Sequence, residues 1–247
     1  MTEKELFETL RKKLTDLIAE NGYMDREVKV NCRALTPEEA IGIQKKKDVP
    51  IYNGKEVMIQ AEFDGGIGQA FTSSPSLFEG TLGDVLKLDI MGNDYDRAIF
   101  IAALNAVTRK CGICDRSIHC KDHGPVDCAE KAMEYLKENY REDIRIAQIG
   151  YQPFLLEHLA QTFENVRVLD LNPDNVGDIR YGIRVLDGVK DYSETIEWAE
   201  LVLCTGSTLS NGTIINFLDL DKDVLFYGTT GAGAAALMGW QRLCYAD

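Results

Sequence analysis

Apolar residues fall at helical spacing from the start of the chain. Leu6, Leu10, Leu14, Leu17 and Ile18 share one stripe against a charged face, and Asn21-Gly22 reads as a stop. A helix over residues 2–20 is predicted. The period then becomes two, with Val28 and Val30 on one face of a strand predicted from Glu27 to Ala34. Thr36-Pro37-Glu38-Glu39 offers a capping hydroxyl, a proline at the first helical position and a glutamate at the third, so a short helical turn is expected. Strands over Lys55–Phe63 and Ile67–Thr72 flank Asp64-Gly65-Gly66 and form a predicted hairpin. Ser73-Ser-Pro-Ser76 marks a loop and Thr81–Leu88 a short helix or turn. Tyr95–Val107, with Ile99, Phe100, Ile101, Leu104 and Val107, reads as a buried helix. This first part is an α+β unit.

The rhythm changes after a helix predicted at Val126–Asn139. Strands at Ile144–Ile149, Val166–Leu169, Ile183–Val185, Leu201–Cys204 and Val224–Tyr227 alternate with helices at Pro153–Phe163, Tyr192–Ala199 and near Asn211. Such alternation predicts a parallel sheet with crossover helices, so the whole chain is placed in the α/β class. The expected division is residues 1–110, a connector at 111–140, and the parallel-sheet unit at 141–247.

The connector holds the most unusual chemistry. Cys111, Cys114, His119, Cys120, His123 and Cys128 contain four of the seven cysteines and two of the three histidines of the chain. Sulfur and imidazole at this density suit zinc, an iron–sulfur cluster or another thiophilic metal. Cys111 and Cys114 can bind from one turn, Cys120 and Cys128 can complete a four-sulfur set, and either histidine can replace one sulfur. A redox dithiol and inert structural thiols are the competing readings. Arg109 and Lys110 precede the first cysteine, and a helix starting at Gly124-Pro125 would put Cys128 in its first turn, where the helix dipole lowers a thiol pKa. A disulfide framework is disfavoured, because a chain of 247 residues buries a core without staples.

Ligands of an open parallel sheet lie beyond the carboxyl ends of its strands. The residues expected there are Gly150, Asp170, Thr205-Gly206-Ser207-Thr208 and Gly228-Thr229. Asp170 could hold a diol, and the hydroxyl loop with its backbone N–H groups could cradle an oxyanion. Gly231-Ala-Gly233-Ala-Ala-Ala236 matches a dinucleotide fingerprint, but too little chain follows it, so close helix packing is the better reading. Cys204 reads as a buried strand cysteine rather than a nucleophile.

Charge narrows the partners. A formal charge of −13 argues against nucleic acid, and Lys45-Lys46-Lys47 beside Asp48-Val-Pro50 reads as a solvated loop. No segment reaches membrane-span length, and the N-terminus lacks signal-peptide character, so a cytoplasmic location is expected. No acid–base pair or nucleophilic triad can be assigned, and catalytic residues stay unknown. Self-association into a homo-oligomer is left open.

Several segments together resemble a family named for a proposed role in heavy-metal chelation. They are Leu35-Thr-Pro-Glu-Glu-Ala40-Ile-Gly42, Gly66-Ile-Gly68-Gln-Ala70-Phe-Thr72, Ala103-Leu-Asn105-Ala106, Ile149-Gly150-Tyr151-Gln-Pro153 and Thr205-Gly206-Ser-Thr-Leu-Ser-Asn211-Gly212-Thr213. The resemblance implies an enolase N-terminal-like domain followed by a Rossmann-like domain. It also implies a cleft site between them with Asn105, Gly150, Thr205, Gly206, Ser207, Asn211 and Gly228. The leading expectation is therefore a metal-handling protein that binds a thiophilic metal, or a small metal-binding molecule, in that cleft, with the strand-end loops holding an anionic organic partner. An enzyme using a nucleotide-like or S-adenosylmethionine-type cofactor, with Asp170 on the ribose, and a non-catalytic module with structural cysteines are the alternatives. The organic cofactor itself is unknown.

Overall fold

The computed structural model describes residues 1–24, 29–44, 46, 49–53 and 56–245. The predicted strand residues Glu27, Val28 and Lys55, and Lys45, Lys47 and Asp48 of the basic run, lie outside the described residues. The N-terminal elements are α1 (Glu3–Glu20), β1 (Lys29–Ala34), α2 (Pro37–Ile41), β2 (Val57–Phe63), β3 (Gly66–Thr72), β4 (Phe78–Thr81), α3 (Leu82–Val85) and α4 (Asp94–Lys110). Their strands make an antiparallel sheet of order β3-β2-β1-β4. The hairpin is as expected, with Asp64 and Gly65 both at positive φ in a two-residue turn. Thr36 and Glu39 close the capping box of α2. Strand β4 lies in a stretch that the pattern left between a loop and a helix.

The remaining elements are α5 (Gly124–Asn139), β5 (Ile146–Ile149), α6 (Pro153–Thr162), β6 (Val166–Asp170), β7 (Ile179–Arg180), β8 (Ile183–Asp187), α7 (Tyr192–Trp198), β9 (Leu201–Thr205), α8 (Ser207–Ser210), β10 (Asp223–Tyr227), α9 (Ala232–Met238) and β11 (Arg242–Leu243). The second sheet runs β11-β10-β9-β5-β6-β8-β7 and is parallel except at β7. Two-residue strands such as β7 and β11 carry no readable period. Helix α8 begins at Ser207, earlier than expected, and Asn211 is its C-cap. After β5 the chain goes to β6 and β8, then returns to place β9 on the other side of β5. That reversal opens a crevice beyond Ile149 and Thr205.

One apolar core joins the two sheets. It runs from Leu6, Leu10 and Leu14 on α1 through Phe100, Ile101 and Leu104 on α4 to Ala147, Val202 and Phe226 in the second sheet. Helix α4 is buried from Arg97 to Thr108, so its whole circumference meets protein. Glycine permits the close approach. A Cβ on Gly68 would lie 2.2 Å from Ala106 N, and one on Gly233 would lie 2.7 Å from Thr108 Oγ1. The small-residue run at 231–236 is thus helix-packing surface.

Asn105 fastens this seam. It is fully buried, and its Nδ2 donates to the carbonyls of Gln69 (2.9 Å), Thr230 (3.0 Å) and Thr229 (3.2 Å). Its Oδ1 accepts from Gly233 N at 2.7 Å. One amide on α4 therefore ties β3 to the loop after β10 and to α9. Asn105→Ala strands several buried polar groups, and each costs about 1–3 kcal/mol. The expected outcome is a destabilisation of about 3 kcal/mol or more in chemical denaturation; a variant as stable as the wild type would remove Asn105 from this role.

Candidate functional site

The crevice is a cavity of about 380 Å³. One wall comes from the strand ends: Gly150, Asp170, Thr205, Gly206, Ser207, Gly228 and Thr229 all line it. The facing wall comes from the connector, with His119, Cys120 and Cys128, and from Cys244 just beyond β11. Apolar sides such as Ile41, Phe71, Phe154 and Leu225 complete it. Two regions that sequence offered separately thus open into one space.

The connector is tied down along its length. Gln69 N donates to Ser117 O at 2.9 Å, and His119 N donates to Gln69 Oε1 at 2.7 Å, so residues 117–119 run along β3. Arg242 donates to Asp115 O at 2.8 Å and to Gly228 O at 3.2 Å, joining the connector to β11 and to a strand-end loop. Asp122 N donates to Ile41 O at 3.1 Å, which brings α2 over the cavity.

The cysteines divide into two groups. Cys111 is the C-cap of α4, and the N–H groups of Ile113 (2.9 Å) and Cys114 (3.3 Å) donate to Thr108 O. Gly112 takes φ +69 between them, so Cys111-x-x-Cys114 is the closing turn of a helix. Burial raises both thiol pKa values, and only secondarily does Lys110 oppose this at Cys111. Cys114 is buried, with its sulfur 3.1 Å from Thr108 Oγ1. Neither residue lines the crevice. His123 is exposed and bonded to Asp127 at 2.8 Å, also outside it.

Cys120, Cys128 and Cys244 form the second group. All three line the crevice, and Tyr245 N donates to the Cys128 sulfur at 3.4 Å. The expected dipole effect is overturned. Cys128 lies past the first turn of α5, and the Cys120 thiol, foremost among several influences, raises its pKa. His119 Nδ1 lies 2.7 Å from Cys120 O. A carbonyl only accepts, so Nδ1 carries the proton and Nε2 is the free basic nitrogen. Burial lowers the His119 pKa and keeps the ring neutral. Among the described residues, no three histidine, cysteine, aspartate or glutamate side chains form a ready-made metal site.

Asp170 is a loop clamp. Its Oδ2 accepts from Tyr151 N at 2.6 Å, while Oδ1 accepts from Asn172 N at 2.7 Å and Asn175 Nδ2 at 3.2 Å. Thr208 Oγ1 donates to Thr205 O at 2.7 Å, and Asn211 Oδ1 accepts from Thr213 N at 3.0 Å; both side chains serve their own loop and neither residue lines the cavity. Asn105 is the seam clamp already described. Residues that the sequence reading missed are Cys244, Glu56 and Tyr227. Glu56 is solvent-accessible at the crevice mouth, yet the surrounding wall, and then the charge of Asp170, raise its pKa. Tyr227 donates to Gly150 O at 2.7 Å and Ile149 O at 2.8 Å, bracing β10 against β5. Lys46 is not the solvated side chain expected: it pairs with Glu157 at 2.8 Å and lies over the Tyr181 ring, 4.5 Å from its centre.

The comparisons with known proteins follow this geometry. Residues 131–234 match the DUF364 family, described as "Putative heavy-metal chelation". The resemblance to that family stands. The fold is also that of solved DUF364 structures. A DUF364 protein of unknown function from Pyrococcus horikoshii is 18% identical with a TM-score of 0.58, over 92% of this chain and 80% of that one. A DUF364 protein of unknown function from Desulfitobacterium hafniense is 15% identical with a TM-score of 0.50, over 74% of this chain and 71% of that one. No curated protein matches the chain. Among the described residues no helix is long and apolar enough to cross a membrane.

Buried thiols give a test of this description. Burial pushes Cys32 and Cys204 up to about 12 from an ordinary 9.0. Folding favours their protonated forms, so their contribution is complete below 9.0 and is lost as pH rises towards about 12. Alkylation of the folded protein near neutral pH should spare both residues. The denaturation midpoint should fall across that alkaline window, and rapid labelling of either thiol in the native state would contradict the burial.

Proposed function

We propose that the protein handles a thiophilic metal, taken as the ion or on a small metal-binding molecule, in the crevice between the strand ends and the thiol-bearing wall. One observation carries this reading: His119, Cys120 and Cys128 line the same cavity as Gly150, Thr205, Ser207 and Thr229. Thiol and imidazole select soft or borderline cations, while the apolar sides give an organic body somewhere to lie. Thr229 is 3% exposed, lines the cavity, and has a hydroxyl without a hydrogen-bond partner. A bound group would satisfy it. All seven cysteines are free, which fits a reducing compartment such as the cytoplasm.

The adenosyl-cofactor reading is favoured by the position of the crevice at the sheet's switch point. It is weakened by Asp170, whose two oxygens already serve three donors of its own sheet edge.

Equilibrium dialysis of the reduced, tag-free protein should retain zinc or cadmium near one equivalent, with no retention of magnesium or calcium. Calorimetry with S-adenosylmethionine and nicotinamide dinucleotides should give no binding heat. Retention of no thiophilic metal, together with saturable adenosyl binding, would replace this reading with the second.

A further inference from the structure

A second groove, of about 560 Å³, lies beside the crevice, and Cys244 lines both. The end of α4 and residues 112–116 of the connector form one side of it, and α9, Trp240 and β11 the other. Ala232, Ala235 and Ala236 leave α9 smooth there. Three guanidinium side chains line the groove: Arg109, Arg116 and Arg242. Among the described lining residues Asp115 is the one carboxylate. A chain of formal charge −13 thus gathers three positive groups around a single negative one.

Arg242 makes this more than a surface cluster. Its side chain is 9% exposed. Nη1 donates to Gly228 O at 3.2 Å and to Arg116 O at 3.4 Å, and Nη2 donates to Asp115 O at 2.8 Å. All three acceptors are neutral carbonyls. The Asp115 carboxylate lies 3.4 Å away, is 61% exposed, and is shared with Arg116 at 3.1 Å. A buried cation held by carbonyls, with only part of one counter-charge, favours a further anion. Arg109 is exposed and makes no ion pair among the described residues.

Helix capping does not account for these arginines. The carbonyls of Val107, Thr108 and Arg109 already accept from the N–H groups of Cys111, Ile113 and Gly112. Arg116 also sits at φ +48, where a residue other than glycine is uncommon.

We infer that this groove is a binding site for a small multivalent oxyanion, a polycarboxylate or a phosphate-bearing molecule, held by Arg109, Arg116 and Arg242. Guanidinium forks match carboxylate and phosphate oxygens two at a time. The Arg242 charge is fixed in place before the anion arrives, and Arg109 and Arg116 meet it from α4 and from the connector. The site goes beyond the metal-handling reading and does not depend on it.

The test is a calorimetric titration of the metal-free protein with citrate and, separately, with inorganic phosphate, the ionic strength being held with sodium chloride. At least one probe should bind saturably at one site, and its affinity should fall as sodium chloride is raised. Arg109→Ala alters an exposed side chain, so the melting temperature should stay unchanged while binding weakens by about fivefold or more. Arg109→Lys should recover part of that loss, because it restores the charge without the fork. The emission of Trp240, read in a Trp198→Phe chain, should follow the same isotherm. Binding of citrate alone, or of phosphate alone, supports the site and names its oxyanion. Absence of saturable binding with both probes overturns the proposal, and so does binding that survives Arg109→Ala and Arg116→Ala together. Metal retention by the crevice, read separately by dialysis, is untouched by either failure.

Discussion

The buried amide of Asn105 is the constraint on which the rest of the structure depends. Helix α4 is enclosed by protein on every side, so a polar side chain at its centre must find all its partners there. It finds them in β3, in the loop after β10 and in α9. That fixes Thr229 and Thr230 relative to Gln69, and Gln69 in turn holds the backbone of His119. The two walls of the crevice are therefore registered against each other through one helix. Glycines at positions 68 and 233 are part of the same device, because larger residues would keep the backbones too far apart for the amide to span them.

The site follows from sheet topology as much as from its chemistry. The reversal of direction at β5 and β9 leaves a gap beyond the strand ends, and the loops there carry small and hydroxyl-bearing residues. A parallel sheet alone would leave this gap open on one side. Here β3, α2 and the connector close it, and they bring sulfur and imidazole with them. The result is a cavity lined both by thiol and imidazole side chains and by strand-end loops. On the proposed reading, this cavity is where the ion and its organic partner meet.

Much of this was legible in the sequence, and the remainder was hidden for definite reasons. Long periodic segments such as α1, α4 and the β2–β3 hairpin were plain, as was the change to alternating strands and helices. The strand-end residues were found because glycine, threonine and aspartate after an apolar run mark that edge; Gly150, Thr205, Ser207 and Thr229 do meet in the cavity. Proximity in sequence misled for the cysteines. Cys111-x-x-Cys114 resembles a metal-binding turn, but its spacing also suits a helix C-terminus with Gly112 in the left-handed region, and packing chose the latter. Cys244 was invisible as a crevice residue because only the pairing of β11 with β10 brings it to that wall. Asn105 was named through the family resemblance and Asp170 for its place at a strand end; internal hydrogen bonds occupy both side chains.

The most direct measurement is anomalous diffraction from a crystal of the reduced protein grown with one equivalent of cadmium. The account predicts a single strong peak inside the crevice, on the wall that carries His119, Cys120 and Cys128. A peak on Cys111 at the end of α4, with none in the crevice, would contradict it.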